Sequence, residues 1–226
     1  MVTKPIQFNH GPDTVLAILA GNKSQARWVI RPQPENEYGI QRLDSGIFWQ
    51  TSPKYGPVKL RYQVGDILYV KETCYIWGRW LVGGTTKTGK SKMRFHPVGE
   101  YATHGTPPDK IISAAKCYSK ITPGVCAMWK RPSIFMPRWA ARIFLEVTDV
   151  RVQRIQDISE GDAKAEGFFS SKHILEARPG HSFGFRDSFA FGWDRINAKR
   201  GYPWANNPWV AAYTFKQVDK PKEEKA

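Results

Sequence analysis

The part of the sequence that most restricts the fold runs from Thr14 to Arg31. Its apolar residues recur at the spacing of one helical face, and they are Val15, Leu16, Ile18 and Leu19. Gly21 and Asn22 follow, and both residue types suit the left-handed turn that ends a helix. The run Trp28–Ile30 is β-branched and aromatic, which favours a strand. The stretch therefore predicts a short helix, a sharp turn and a strand in immediate succession.

Lys23 lies at the turn between this helix and this strand. A lysine carries three hydrogen-bond donors, and from a turn it can direct them into a neighbouring cleft. A lysine at a turn is equally compatible with full solvation. Spacing alone therefore leaves two interpretations open, a cleft lysine and a solvated turn lysine.

The chain carries a large excess of positive charge. Its 34 Lys and Arg outnumber its 20 Asp and Glu, which gives a formal net charge of +14 and an isoelectric point of about 9.8. A surplus of this sign favours a polyanionic partner, and we predict nucleic acid or a nucleotide-like ligand. A basic but inert surface and an acidic protein partner are the alternatives.

Neither a membrane segment nor a secretory leader is predicted. No apolar run approaches the ~20 residues that a membrane-spanning helix needs. The first residues, MVTKPIQFNHGPD, lack the apolar centre of a signal peptide. The expected location is the cytoplasm of a bacterium or of a phage-infected cell, with no membrane partner.

The cysteines indicate a reducing compartment and no disulfide framework, because Cys74, Cys117 and Cys126 are odd in number and include no CxxC pair. A zinc site is conceivable from residues of one segment, namely His96, His104, Cys117 and Cys126. Their spacing matches no common zinc pattern. We therefore predict no metal and no cofactor, and interpret these residues mainly as surface histidines and buried cysteines.

The sequence predicts one domain over residues 1–218 and a charged, disordered tail over residues 219–226. Glycine, proline and polar residues are concentrated in three predicted loop insertions, which cover about 32–59, 81–130 and 168–184. No internal repeat is present. The predicted elements between the insertions suit a small mixed sheet structure flanked by helices.

Four further strands are predicted along the chain, and one of them is the run Cys74–Trp80. Ile67–Val70 follows a Gly-Asp turn and has the composition of a buried strand. Arg142–Ile155 alternates apolar and polar residues, with a change of register at Thr148-Asp149. Trp209–Val218 alternates in the same way and is predicted as the closing strand.

Two further helices are predicted. Ser159 caps a short helix that ends at Gly167, with Asp162 in the position of a capping box. Apolar residues at helical spacing predict an amphipathic helix over Phe185–Lys199.

The least regular segment carries most of the excess charge. From Arg79 to Arg138 there are eleven Lys or Arg and two acids, a local excess of nine positive charges. The cations cluster at Lys87, Lys90, Lys92 and Arg94, and the interleaved aromatic residues are Trp80, Phe95, Tyr101 and Tyr118. Cations for phosphates and rings for bases are the combination that single-stranded nucleic-acid grooves use. We interpret this cluster of cations as a flexible basic loop that either contacts nucleic acid or forms a solvated face.

A Gly-x-Lys after a short helix, running into a basic strand, resembles the signature of ASCH domains, which are small barrels of the PUA-like superfamily. Further segments resemble the same family as it occurs in bacteriophage genomes, and these are Gly65–Glu72, Pro132–Ala140, Leu145–Val150, Asp157–Gly167 and Asn207–Val210. Together they are spread over most of the chain. The resemblance implies an α+β fold, a small mixed β-barrel flanked by helices and decorated with long loop insertions. A cleft at one mouth of such a barrel would be lined by Lys23.

The resemblance also implies a candidate catalytic set. Family members that deacylate acetylated cytidine use a Lys, a Thr and a Glu, which map onto Lys23, Ala26 and Glu166. A lysine or a carboxylate can act as a base and a hydroxyl as a nucleophile, but Ala26 has no hydroxyl. Ser24 is predicted to face the same direction along the strand and is the candidate replacement. Trp28 stands where the signature commonly has Arg, and Glu166 alone could still activate a water molecule.

The predicted nucleic-acid surface combines residues of the first turn and strand with residues of the basic segment. They are Lys23, Arg27, Trp28, Lys87, Lys90, Lys92 and Arg94. Arg138-Trp139 offers a cation beside a ring, which can clamp a base and pair a phosphate. A Trp that covers the end of the barrel beside an ion-paired Arg is the alternative. Asn207 and Trp209 offer an amide and an aromatic edge, although Asn-Asn-Pro is also an ordinary turn.

Three functions follow from this sequence. The first is a binding module, a PUA-like cleft that holds a modified or single-stranded base, with RNA as the favoured nucleic acid, in a phage context. The second is a hydrolase that uses Lys23 and Glu166, either an amidohydrolase on acetylated cytidine or a ribonuclease. The third is a phage protein that engages a host protein through its insertions. Ala26 and the net charge favour the first.

Overall fold

A computed structural model of the chain describes residues 3–8, 12–34, 40–43, 48–50, 57–104, 112–113, 124–168 and 184–221. The strands of this part are β1 (Thr3–Ile6), β2 (Gln25–Val29), β3 (Ile40–Arg42), β4 (Phe48–Gln50), β5 (Ile67–Val70), β6 (Cys74–Thr85), β7 (Ser91–His104), β8 (Ile112–Ser113), β9 (Cys126–Arg131), β10 (Phe144–Arg154) and β11 (Trp209–Val218). The α-helices are α1 (Pro12–Leu19), α2 (Glu160–Ala165) and α3 (Phe185–Asn197).

The main sheet has five strands in the order β1–β5–β10–β11–β2. β1 pairs with β5 in parallel, and the other neighbours are antiparallel. Mixed sheets with a few helices confirm the α+β class. The predicted closed barrel is wrong for the described residues, because the edge strands β1 and β2 form no ladder with each other. Apolar alternation specifies which face of a strand is buried and not which edges pair, so the sequence pattern could not decide closure.

The predicted elements of this sheet are found close to their expected bounds. β5 and β11 coincide with the predicted strands, and α3 ends two residues before the predicted end. The register of β10 against β11 shifts between Val147 and Asp149, where the sequence predicts a change of register. Ser159 caps α2, since its side chain accepts a hydrogen bond from the backbone N–H of Asp162.

The described part of the predicted irregular insertion at 81–130 consists mostly of strands of a second sheet, with the strand order β7–β6–β9–β8. Several of its prolines and glycines, which the pattern assigns to turns, lie within long strands. Pro97 lies in β7, an edge strand, where a missing N–H is tolerated. The register of β6 against β7 shifts between Ile76 and Gly78 and again between Val82 and Thr85, and glycines of β6 lie at both shifts. These shifts mark β-bulges. Lys92 and Arg94 are therefore strand residues and not parts of a flexible loop.

The core lies between the main sheet and α1, with smaller clusters beneath the second sheet and between α2 and α3. In the predicted 32–59 insertion, β3 and β4 pair as a small two-stranded sheet. Most of the predicted 168–184 insertion and the end of the predicted tail lie outside the described residues. Within the described residues, no helix has the length and apolar character that crossing a membrane requires.

Candidate functional site

Lys23 and Glu166 lie side by side although 143 positions separate them in the chain. Lys23 Nζ donates to Glu166 Oε2 at 2.8 Å and to the Glu166 carbonyl oxygen at 2.7 Å. The two residues also form an isolated antiparallel β-bridge. Each side chain is only 5% exposed, so the interpretation of Lys23 as a solvated turn lysine does not hold.

Two glycine turns position this pair. Gly21 has φ +73 and ends α1 as predicted, after which the backbone N–H of Lys23 donates to the carbonyl of Ala17 at 3.1 Å. Gly167 has φ +84 immediately after Glu166. A Cβ at Gly167 would lie 3.3 Å from Lys23 Cβ, tighter than ordinary packing, so the turn needs glycine for both conformation and space.

Arg27 completes a buried ion cluster. Its Nη1 donates to Glu166 Oε1 at 3.0 Å and its Nη2 to Asp162 Oδ2 at 2.9 Å, with the Arg27 side chain fully buried. The Phe189 ring lies 5.9 Å from its guanidinium. Both carboxylate oxygens of Glu166 are thus engaged by cations.

Asp162 extends the cluster to the surface. It accepts hydrogen bonds from Gln25 Nε2 at 3.0 Å and from Arg151 Nη2 at 3.1 Å. Burial raises the pKa of Asp162, but the hydrogen bonds from Arg151 and Gln25 and the charge of Arg27 outweigh it, so its pKa lies below the usual value. Its stabilising contribution is therefore present above the ordinary pKa of an aspartate and is lost as pH falls through the depressed pKa.

An aromatic group lies on the other face of β2. The ring of Trp28 is 6.0 Å from those of Phe8 and Tyr62 and 5.4 Å from that of Tyr213. Burial raises the pKa of Tyr62 to about 12, and burial also raises the pKa of Tyr213. Both phenols therefore stay neutral at physiological pH. Lys23 Nζ lies 5.7 Å from the centre of the Phe8 ring, so the ion cluster and the aromatic group adjoin.

These residues line a cleft of about 620 Å³, a volume within the range of small-molecule sites. Among the described residues that line it, the cations are Lys23, Arg27, Arg31, Lys59, Arg61 and Arg200, and the carboxylate is Glu166. Its rings are Phe8, Trp28, Phe168, Phe189, Trp193 and Tyr213. We call Arg31, Lys59, Arg61 and Arg200 the rim cations. They are exposed, and none forms an ion pair with a described residue.

The cleft follows the free edge of β2. One edge of this strand pairs with β11, with Ala26 opposite Tyr213 and Trp28 opposite Ala211, and no described strand pairs with the other edge. Side chains from both faces of β2, such as Arg27 and Trp28, therefore reach the same cleft. Unpaired main-chain N–H and C=O groups along such an edge are available to a ligand.

A second, more apolar cleft of about 800 Å³ shares Lys23 and Glu166 with the first. It is lined by residues of α1 and α3, including Leu16, Phe191 and Ile196. The buried ion pair therefore forms a wall between two clefts, only one of which carries the rim cations.

The structure brings some of the predicted site residues into the cleft and not others. Ala26 lines it, whereas Ser24 does not, and the Ser24 carbonyl instead accepts from the backbone N–H of Phe215. Arg138 and Trp139 lie in a short 3₁₀ helix, Arg138–Ala140, where Trp139 packs on the cluster beneath the second sheet.

Asn207 and Trp209 also lie outside both clefts and have structural contacts. Asn207 has φ 44, and its side-chain oxygen accepts from the backbone N–H of Gln156 at 3.0 Å. The guanidinium of Arg154 lies 4.3 Å from the centre of the Trp209 ring. The ordinary-turn interpretation of this segment therefore fits its contacts.

Sequence reasoning missed the partners of Arg27 and all four rim cations. The sequence carried a signal for the partners of Arg27. Gln25 and Arg27 share one face of the strand, and Asp162 and Glu166 are four residues apart around α2, so each pair can present its side chains on one side. The rim cations come from three segments far apart in the chain, and only Lys59 and Arg61 are close in sequence, so no local pattern could have grouped all four.

The zinc hypothesis gains no support in the described part of the chain, where no group of three His, Cys, Asp or Glu is placed to hold a metal. Cys117 lies outside the described residues. Cys74 is buried and Cys126 exposed, and both are free thiols.

No family model and no curated protein matches this sequence. Among solved structures, the chain is similar to a DUF984 protein from Enterococcus faecalis V583, with 9% identity, a TM-score of 0.39, and 97% of this chain and 78% of that chain covered. It is also similar to an ASCH domain from Lactobacillus crispatus, with 14% identity, a TM-score of 0.35, and 96% of this chain and 81% of that chain covered.

Proposed function

We propose that this chain binds a nucleotide, free or within a single-stranded nucleic acid, in the cleft along the edge of β2. The observation that carries the proposal is the set of rim cations, which have no carboxylate partner among the described residues, around an aromatic cleft. Cations without carboxylate partners suit phosphate, and aromatic faces suit a base of any sequence. The free edge of β2 adds main-chain donors and acceptors that can bond the edge of a base.

The buried ion cluster has a supporting role in this proposal. Lys23 has two of its three donors engaged by Glu166, and the Arg27 guanidinium is engaged by both Glu166 and Asp162. Their charges are largely compensated within the cluster. We therefore assign the phosphate to the rim cations and the base to the aromatic group around Trp28, with Lys23 offering one remaining donor.

Calorimetric titration of the full chain with a nucleoside 5′-monophosphate, the parent nucleoside and inorganic phosphate tests the proposal. The nucleotide should bind more tightly than either part, and its affinity should fall with added salt because the rim cations are exposed. Each of the four common bases should be tried, since stacking tolerates all of them. Absence of saturable binding by every nucleotide, or equal binding of inorganic phosphate alone, would overturn it.

A second candidate is an amidohydrolase acting on an acetylated cytidine base. The observation that favours it is the approach of Lys23 Nζ to Glu166 Oε2 at 2.8 Å beside the cleft. Ala26 offers no nucleophile, and both oxygens of Glu166 are held by cations. The geometry therefore favours binding over hydrolysis.

We expect the unmodified protein to show weak or no deacylation of acetylated cytidine, and Ala26→Thr to raise it. The threonine hydroxyl would restore the missing nucleophile at a buried position that lines the cleft. Liberated acetate and cytidine can be followed by chromatography, with Ala26→Val as the matched control because valine has the same shape without the hydroxyl. Strong activity of the unmodified protein that survives Glu166→Gln would place the chemistry elsewhere.

A further inference from the structure

The outer part of β6 and β7 forms a two-stranded arm. β9 pairs with β6 only from Cys74 to Arg79, and the backbone N–H of Gly124 donates to the Trp80 carbonyl, so beyond Trp80 the two strands pair with each other alone among the described residues. We call residues 80–95 the arm. At about 3.3 Å per residue, its β6 strand extends roughly 17 Å beyond the second sheet.

The two faces of the arm differ in character. In the register of β6 against β7, Leu81 is opposite Arg94 and Val82 is opposite Met93. Because side chains alternate, the face of Leu81 also carries Lys92, and Arg79 and His96 continue it at the base. The opposite face is apolar and carries Trp80, Val82, Met93 and Phe95, of which Trp80 and Phe95 pack edge-to-face with ring centres 5.4 Å apart.

No described carboxylate compensates the positive charge of the arm. Between Glu72 and Glu100 the sequence has no acid and five cations, which are Arg79, Lys87, Lys90, Lys92 and Arg94. All five are exposed, and none forms an ion pair with a described residue. In the main body, by contrast, Lys23, Arg27 and Arg142 have carboxylate partners.

The cationic face is also flat near the tip. Gly83 lies beside Arg94 on this face, and a Cβ there would come within 3.0 Å of Arg94 Cβ. Arg94 is therefore opposite Leu81 on one side and next to Gly83, which has no side chain, on the side toward the tip. A narrow ribbon with cations on one face and small residues between them can enter a groove lined by phosphates.

We propose that the arm is a second nucleic-acid surface, which lies with its cationic face in the major groove of duplex DNA. The major groove of B-form DNA is about 12 Å wide and admits a two-stranded β-ribbon, whereas that of A-form RNA is deep and narrow. Lys90, Lys92 and Arg94 contact phosphates and groove edges. This surface is separate from the cleft along β2, and neither site depends on the other.

Two neighbouring substitutions test the proposal, Leu81→Glu on the cationic face and Val82→Glu on the apolar face. Both substitutions lower the net charge by the same amount, and the two positions are adjacent in the chain. With a short fluorescently labelled duplex DNA and the full chain, Leu81→Glu should weaken binding by at least about tenfold and flatten the dependence of log K on log salt by about 0.9 for each phosphate that the variant no longer neutralises. Val82→Glu should stay within about twofold of the parent, since its side chain faces away from the phosphates.

The controls separate this proposal from the proposed function. Lys92→Gln with Arg94→Gln replaces two exposed side chains without burying charge, so it tests the same face if Leu81→Glu does not fold. All these variants should keep the parent affinity for a mononucleotide. Equal losses from Leu81→Glu and Val82→Glu, no loss from either, or equal losses on duplex DNA and on duplex RNA of the same sequence would overturn the groove-binding proposal. Failure of mononucleotide binding in the parent would instead overturn the cleft proposal alone.

Discussion

Glu166→Ala is expected to lower the free energy of unfolding by about 3–5 kcal/mol, the range for breaking a buried ion pair by removing one partner. The carboxylate accepts from Lys23 Nζ on one oxygen and from Arg27 Nη1 on the other, at 2.8 and 3.0 Å. Its removal leaves two buried cations close together. Urea-induced unfolding followed by tryptophan fluorescence measures the change in stability, and high salt should reduce it little because the cluster is shielded from solvent.

Two further variants make this expectation specific. Glu100 is an exposed carboxylate of β7, so Glu100→Ala should change stability by no more than about 0.5 kcal/mol. Combining Lys23→Met with Glu166→Ala removes one of the stranded cations and leaves Arg27 with Asp162, so the double variant should recover part of the stability. A Glu166→Ala protein as stable as Glu100→Ala would contradict the assignment of a buried, stabilising cluster.

Lys59→Gln combined with Arg61→Gln should weaken nucleotide binding by roughly 100-fold or more. Hydrogen bonds to charged groups contribute about 1.5–3 kcal/mol each, and both side chains belong to the rim cations. Both are exposed, so the stability of the protein should change little. Calorimetry with the nucleotide that binds the parent best measures the change in affinity.

The matched control removes the same charge elsewhere. Lys130→Gln combined with Lys164→Gln replaces two exposed lysines that do not line the cleft. This protein should bind the nucleotide as the parent does, apart from a small effect of net charge that salt screens. Equally weakened binding in the two double variants would mean that binding responds to overall charge, and the rim cations would lose their proposed role.

Local pattern predicted the local structure well. The helix before Gly21, the turn at Gly21, the shift of register in β10 and the limits of β5 and β11 all follow from short-range rules, and the structure confirms them. The predicted apolar face of α1 is only half right, because Val15 and Ile18 are buried whereas Leu16 and Leu19 are exposed. The resemblance of the motifs also placed Lys23 and Glu166 in one candidate site, which spacing alone left open, and the two side chains lie 2.8 Å apart. Each of the local features depends on residues within one turn or one strand. The candidate pair of Lys23 and Glu166 depends instead on sequence motifs that occur in the same order along the chain as in the family they resemble.

Tertiary structure alone decided the remaining features. The sequence predicted a closed barrel and a flexible basic loop, and the structure has an open sheet and a paired arm, because edge pairing depends on residues far apart in the chain. Lys23 is buried because the turn at Gly167 brings Glu166 beside it. The rim cations converge from three segments far apart in the chain, so only the fold could assemble them around the free edge of β2.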